Sequence, residues 1–399
     1  MPDHTAGSRR TGLACWGVPL SLPRLRAVLG RLAAYQPTEG VHAAAARTRP
    51  LSANESPHGP LPGIMEAVAG AASTVNRYPD PGCGELTRAI ARRHGVTEDR
   101  VVVGAGSVAL LQTLLQSVGD PGTEVVYAWR SFELYPLLAD LAGMRSVRVP
   151  LAGHTHDLPA MADRITDATR LVLICNPNNP TGTVVAREEL RTFLARVPPT
   201  CLVALDEAYY EYARGPADSS GLPLGETHPN LVVLRTFSKA YGLAGLRVGY
   251  LVGDPRVVEQ LRKACLVYAV NGAAQRAAVA ALGLEDQLLR RVDATVAERG
   301  RVRDALAAHG WDIPAGHANF VWLPLGAASA EFGRWCTGKG IAVRTFPGEG
   351  VRVSVGCAED NDAFLAASAA WLTRAGLWSP VSRIEGPALP SSGALPGQE

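Results

Sequence analysis

Between Arg235 and Tyr250 the chain reads Arg-Thr-Phe-Ser-Lys-Ala-Tyr-Gly-Leu-Ala-Gly-Leu-Arg-Val-Gly-Tyr, setting one lysine, Lys239, among small, apolar and hydroxyl-bearing residues ahead of Arg247. With Ser238 and Ala240 as neighbours rather than other charges, the lysine is expected to lose water. Desolvation favours the neutral amine that condenses with an aldehyde. Thr236 and Ser238 bring hydroxyls and Arg247 a guanidinium, a donor set suited to one phosphate. The stretch therefore reads as a holder for a phosphorylated aldehyde. Taken alone, Lys239 reads as a solvated surface lysine in a glycine-rich loop, the usual state of lysines. The rest of the chain shifts that balance.

Two further motifs precede it. Asn176-Pro-Asn-Asn179-Pro-Thr-Gly182 follows the apolar run Leu171–Cys175, which predicts a tight turn at the carboxyl end of a buried strand. Sites on open α/β sheets form at such ends. Leu202-Val-Ala-Leu-Asp206-Glu-Ala-Tyr209 repeats the pattern, with an apolar strand delivering a carboxylate. Asp206 is suited to pair with a protonated pyridine nitrogen, which turns the ring into an electron sink, and Asn179 and Tyr209 to hydrogen-bond the ring's phenolic oxygen. Singly, Asp206 also reads as a strand-end cap and Asn179 as a turn residue. Together with Lys239 the three point to pyridoxal 5'-phosphate.

On these motifs the chain resembles the fold-type I aminotransferases of class I/II, and within them the histidinol-phosphate and aromatic amino acid aminotransferases. The resemblance runs from about Leu22 to about Trp371. It also rests on Asn76-Arg-Tyr78-Pro-Asp80, Gly104-Ala-Gly-Ser107, Trp129-Arg-Ser-Phe132-Glu-Leu-Tyr135 and Arg352-Val-Ser-Val-Gly356. It implies that Lys239 forms the Schiff base and is then the general base, and that Asp206 holds the pyridine nitrogen. Asn179 and Tyr209 would hold the phenolic oxygen, and Phe132 would stack on the ring. Thr236, Ser238, Arg247 and the amides of Gly106, Ser107 and Val108 would bind the phosphate. Tyr78 would reach the neighbouring subunit's cofactor, implying a homodimer. Arg352 would grip the substrate's anionic end, with Arg344 a second contact and with Asn54 and Tyr268 near the pocket. Such a grip needs a planar guanidinium. The implied partners are an amino donor and a 2-keto acid acceptor, used in ping-pong order.

Gly104-Ala-Gly106-Ser-Val-Ala109 also satisfies a dinucleotide fingerprint with alanine last, because it follows Val101–Val103 and opens a helical run. Both readings put an anion on a helix N-terminus. A dinucleotide site needs an acid near the end of the next strand, whereas Glu124 starts that strand and none ends it. A dehydrogenase would also leave Lys239, Asp206 and Arg247 without roles.

A net charge of +2 gives no ground for nucleic-acid or membrane binding, and 47% hydrophobic with 19% charged residues is ordinary for a globular chain. Seven scattered cysteines without a Cys-x-x-Cys pair read as reduced thiols. His154-Thr-His156, between Pro150 and Pro159, reads as a loop rather than a metal site. No run is long enough to span a bilayer and the N-terminus lacks a signal-peptide core, so a cytoplasmic enzyme is expected.

From about Asn76 to Val270, apolar strands near Val101, Val125, Leu171, Leu202, Leu231 and Val248 alternate with helical stretches. An α/β fold with a mostly parallel, doubly covered sheet is expected. Helices are expected over Gln275–Leu289 and Val292–His309, then strands at Ala318–Leu323, Ile341–Arg344 and Val351–Val355 and a last helix through Trp371, a smaller α+β domain. The expected organisation is an extension over 1–21, an arm over 22–60 joining the small domain, a large cofactor domain over 61–272, the small domain over 273–375 and a tail over 376–399. The extension and tail, rich in Pro, Gly and Ser, read as disordered.

Histidinol phosphate and an aromatic amino acid share an amine and one anionic end, so Lys239 and Arg352 do not separate them. Trp129, Phe132, Tyr135 and Tyr268 are candidate faces for a substrate ring. Val108-Ala109 after Gly-Ala-Gly-Ser and the run Trp-Arg-Ser-Phe-Glu resemble the actinobacterial aromatic branch, which tilts the expectation to phenylalanine or another aromatic amino acid. Histidinol phosphate itself, a specialised biosynthetic amine and, in another class, decarboxylation of a phosphorylated amino acid stay open.

Overall fold

The structure is a computed structural model that describes residues 25–30, 32, 48–215 and 220–374. Residues 1–35 form one compact unit, whose described part is a 3-10 turn over Ala27–Gly30, and residues 36–399 form another. The expected extension over 1–21 and tail over 376–399 lie outside the described residues.

Eleven strands are described: β1 (Arg49–Leu51), β2 (Val101–Gly104), β3 (Glu124–Trp129), β4 (Arg145–Pro150), β5 (Thr169–Cys175), β6 (Leu202–Asp206), β7 (Leu231–Thr236), β8 (Gly249–Val252), β9 (Phe320–Leu323), β10 (Ile341–Phe346) and β11 (Gly350–Ser354). They build a seven-stranded sheet of order β2-β8-β7-β6-β5-β3-β4 and a four-stranded sheet of order β1-β10-β11-β9. In the large sheet β8 runs antiparallel to its neighbours β2 and β7, and the remaining pairs are parallel.

Both faces of the large sheet are buried, so its strands read as unbroken apolar runs rather than alternating ones. Val125, Leu171 and Leu173 point to one core, against helices α3 (Ser107–Val118), α4 (Leu134–Ala142) and α7 (Pro255–Ala264). Val126, Val172 and Ile174 point to the other, against α5 (Leu158–Ala162) and α6 (Arg187–Leu194). A third core joins α1 (Pro62–Ala72), α2 (Gly84–His94) and α8 (Gly272–Gly283), where alanines let the backbones of α1 and α8 approach. The small sheet carries α9 (Glu285–Ala308), α10 (Ser329–Gly338) and α11 (Ala358–Arg374). In β11 the alternation is strict: Val351 and Val353 face that core, and Arg352 and Ser354 leave by the opposite face.

The expected strands are present, and β1 adds to the small sheet by pairing parallel with β10. Three elements differ from expectation. Strand β4 has no counterpart in the sequence reading, because it is an edge strand with Arg145 and Arg148 turned outward and lacks an apolar run. The break between α8 and α9 falls at Leu284 rather than near residue 290, next to Gly283, and α9 then runs unbroken for 24 residues. Helix α10 also went unread, since its buried face is made of Ser329, Phe332, Gly333 and Cys336 rather than a clear apolar stripe.

One buried ion pair holds β6 to β7 beside the strand ends. Arg235 Nε and Nη2 donate to Glu207 Oε2 at 2.9 and 2.7 Å, with the guanidinium 3.8 Å from the Tyr210 ring centre. Glu207 Oε1 accepts the Gly221 amide at 2.6 Å. Removing one partner of such a pair strands the other charge in the interior. Arg235→Met is therefore expected to cost about 3–5 kcal/mol of stability, read as a lowered urea midpoint. An unchanged midpoint would show that the pair contributes nothing.

Candidate active site

The carboxyl ends of β5, β6 and β7 deliver the expected residues to one place. Asn179 follows β5, Asp206 ends β6, and Thr236 ends β7 just before Ser238 and Lys239. Opposite them stand Arg352 of β11 and the segment Ser52-Ala53-Asn54 after β1. Lys239 Nζ donates to the Ala53 carbonyl at 3.0 Å. Arg352 donates to the Ser52 carbonyl and to Asn179 Oδ1, each at 2.6 Å. Asn54, with φ of 55°, occupies a left-handed conformation that asparagine tolerates better than most residues. Its Nδ2 donates to Tyr209 Oη at 2.9 Å, its Oδ1 accepts from Ser354 Oγ at 2.9 Å, and Asn319 Nδ2 donates to its carbonyl at 3.0 Å.

Electrostatics follow from this enclosure. Loss of water, helped by the positive charge of Arg352, pushes the Lys239 amine down from 10.5 to about 7. Burial raises the Asp206 carboxyl to about 6, opposed by hydrogen bonds from Tyr135 Oη at 3.1 Å and the Ala208 amide at 3.3 Å. Burial likewise raises the Tyr209 phenol to about 12.

A second cluster forms where α3 begins. Gly106 caps α3 with φ of 85°, and a Cβ there would lie 2.5 Å from Arg247 Nη2. Only a glycine lets the guanidinium close on the first turn, where Ser107 and Val108 expose their amides. Arg247 Nη1 donates to Ser238 Oγ at 3.1 Å, and Thr236 Oγ1 accepts the Ser238 amide at 3.1 Å. Hydroxyl, guanidinium and helix terminus thus converge on one small space, which suits an anion.

Other expected residues lie elsewhere. Tyr78 and Tyr268 stack on each other at 4.6 Å and belong to the surface of this single chain, 82% and 44% exposed. Arg344 is engaged by Glu133. Phe132 packs edge-on to Tyr135 with ring centres 5.6 Å apart. Tyr135 itself is fully buried beneath Asp206, and Trp129 lies between the guanidiniums of Arg130 and Arg148 at 4.1 and 4.6 Å, so neither presents a free face to a ligand. His156 is buried and accepts the Cys175 amide at 3.4 Å. Glu133, Asn319 and Ser354 were not singled out beforehand. Asn319 and Ser354 show in the sequence only as polar residues in apolar strand runs, and Glu133 only as a member of the run Trp-Arg-Ser-Phe-Glu.

A desolvated lysine amine of lowered proton affinity, a buried carboxylate and a cluster of anion donors on strand ends of an α/β sheet define a class of enzyme. A family model described as aminotransferase class I and II matches residues 49–367, and the chain belongs to that family of pyridoxal 5'-phosphate enzymes. Among relatives, the chain is 56% identical over 343 residues to the aromatic amino acid aminotransferase of Thermobifida fusca (86% of this chain, 96% of that one). It is 51% identical over 347 residues to the protein of the same name from Streptomyces coelicolor (87% and 97%). Among solved structures, histidinol-phosphate aminotransferase from Sinorhizobium meliloti in complex with pyridoxal-5'-phosphate is similar with a TM-score of 0.81 at 29% identity, covering 89% of this chain and 99% of that one. The donors described above fit the cofactor. The amine near pH 7 suits its aldehyde, the buried Asp206 lacks only a cation, and the space that a Cβ at Gly106 would fill matches a phosphate cradle.

The low affinity of Lys239 for a proton has a thermodynamic cost. Between about pH 7 and 10.5 the unfolded chain holds a proton on this lysine that the folded chain lacks, so stability from this group rises with pH across that window and the penalty is complete below it. In cofactor-free protein, Lys239→Met is expected to melt above wild type at about pH 6, with the gap closing towards about pH 10. A gap that stays constant with pH would mean the amine is not desolvated.

Proposed function

We propose that this enzyme transfers the amino group of an aromatic amino acid, with phenylalanine as the type substrate, to a 2-keto acid. The observation that carries the reading is the juxtaposition of Lys239, whose proton affinity burial lowers to about 7, with Arg352, whose guanidinium reaches Asn179 on the same cleft. The choice of an aromatic substrate is supported by relatives of that name at 56% and 51% identity, against 29% for the histidinol-phosphate enzyme.

When bound, pyridoxal phosphate supplies an aldehyde for amine condensation and a ring that accepts the electron pair left on the substrate's α-carbon. The residues do the rest. Thr236, Ser238, Arg247 and the amides of Gly106, Ser107 and Val108 anchor the phosphate. Asp206 keeps the ring nitrogen protonated, and a carboxylate already buried and oriented by Tyr135 loses no further water on doing so. Asn179 and Tyr209 bond the phenolic oxygen, and Phe132 covers the ring. Lys239 Nζ would hold the cofactor's aldehyde carbon and would act as the base for the substrate's α-proton, and its low proton affinity leaves it able to accept that proton near neutrality. Arg352 holds the α-carboxylate with Arg344 as its neighbour, Asn54 positions Tyr209, and Tyr268 borders the pocket from the surface. The half-reactions run in ping-pong order, first with the amino acid and then with the keto acid.

A cytoplasmic homodimer, divided into a large domain over 61–272 and a small one over 273–375 with the arm over 22–60, completes the proposal. It is supported by the exposed apolar group Val75, Tyr78, Leu266 and Val267 and by the six unpaired cysteines of the described residues. Tyr78 would contact the partner's cofactor phosphate. Sedimentation equilibrium is expected to return twice the chain mass, and a monomer at micromolar concentration would overturn the dimer.

The decisive experiment is a visible absorption titration of the cofactor-loaded enzyme with L-phenylalanine and, in parallel, L-histidinol phosphate. L-Phenylalanine is expected to bleach the yellow band at the lower concentration. Lys239→Ala is expected to bind cofactor and turn over negligibly, and Asp206→Ala to lose activity while staying folded. Near wild-type turnover by Lys239→Ala would sink the assignment, and carbon dioxide release without keto acid would indicate decarboxylation.

A further inference from the structure

Arg344 and Arg352 are direct cross-strand partners in β10 and β11. Side chains so paired leave the sheet on one face, with Cβ atoms about 5 Å apart. Two guanidiniums side by side form a grip for a group with more than one negative charge, because each fork takes two acceptor oxygens.

The protein uses the two arginines differently. Arg352 donates to Asn179 Oδ1 and the Ser52 carbonyl, both uncharged oxygens. Arg344 Nη2 donates to the Glu133 carboxylate at 2.5 Å, and both side chains are largely buried, 17% and 22% exposed. Next to them Arg130 pairs with Glu349, so this charge too is cancelled within the chain. Glu133 comes from the start of α4, far from β10 in sequence, and its carboxylate accepts from this arginine.

We propose that Glu133 is a specificity determinant: by occupying Arg344 it leaves the substrate's anionic end to Arg352, which fits a carboxylate and disfavours a phosphate. This rests on the reading of Arg352 as the carboxylate site. A carboxylate carries one charge and is matched by one guanidinium. A phosphate monoester carries about −1.5 to −2 at pH 7 and needs both arginines, but the second is already neutralised. Its extra charge would meet the Glu133 carboxylate, and repulsion of the wrong ligand is a usual source of selectivity.

The test compares wild type, Glu133→Gln, Glu133→Asp and the double variant Glu133→Gln/Arg344→Gln as cofactor-loaded enzymes. For each, kcat/KM is measured with L-phenylalanine and L-histidinol phosphate, together with competitive inhibition by inorganic phosphate. Glu133→Gln is expected to raise the ratio for histidinol phosphate over phenylalanine at least tenfold and to tighten phosphate inhibition several-fold. Glu133→Asp should stay near wild type, and the double variant should lose the gain. If Glu133→Gln does not fold, Glu133→Ala removes the same charge and is expected to give the same shift. An unchanged ratio and unchanged phosphate inhibition, in a variant that still transaminates phenylalanine, overturn this proposal and leave the aminotransferase reading intact. A wild-type preference for histidinol phosphate overturns this proposal together with the choice of an aromatic substrate.

Discussion

Removing a lysine amine from water costs several kcal/mol unless the group gives up its proton, and the cleft is arranged so that Lys239 meets that condition. A carboxylate within contact would restore the charge. Lys239 Nζ instead donates to the uncharged Ala53 carbonyl, and the positive charges of Arg352 and Arg247 act against the opposing pull of Glu55. Each neighbour that lowers the proton affinity of the lysine also has another task. Arg352 reaches Asn179, and Arg247 closes on Ser238. The same cations that favour a neutral amine are therefore placed to receive anions.

The sheet makes this possible. Parallel strands end together, so Asp206, Thr236 and the turn through Asn179 reach one edge without long loops. The Glu207–Arg235 pair, buried directly behind Asp206 and Thr236, joins the two strands where backbone pairing stops and the polar site begins. The small sheet adds a polar face of its own, because strict alternation in β11 turns Arg352 and Ser354 towards the cleft while Val351 and Val353 fill the core.

Much of this could be read from the chain before folding. Lys239, Asp206, Asn179 and the cluster of Gly106, Ser238 and Arg247 follow apolar strand runs, and the location of strand ends is a local property of sequence. What escaped depends on distant pairing. The Arg145- and Arg148-bearing strand β4 is recognisable only once it lies at the edge beside β3. Glu133 gains meaning from Arg344, 211 positions away, and Tyr135 looked like a pocket wall until Asp206 was found against its hydroxyl. The boundary at Leu284 was displaced because two alanine- and charge-rich helices offer no apolar contrast at their junction.

The segment Ser52-Ala53-Asn54 is hydrogen-bonded to Lys239, to Tyr209 and, across 300 positions, to Arg352 and Ser354. The large sheet is complete once the chain has passed Val252, whereas this network closes only when β11 arrives. During synthesis the two events are well separated in time. A nascent chain thus has its main scaffold before it has a finished cleft, and the cleft's hydrogen-bond network waits for β11.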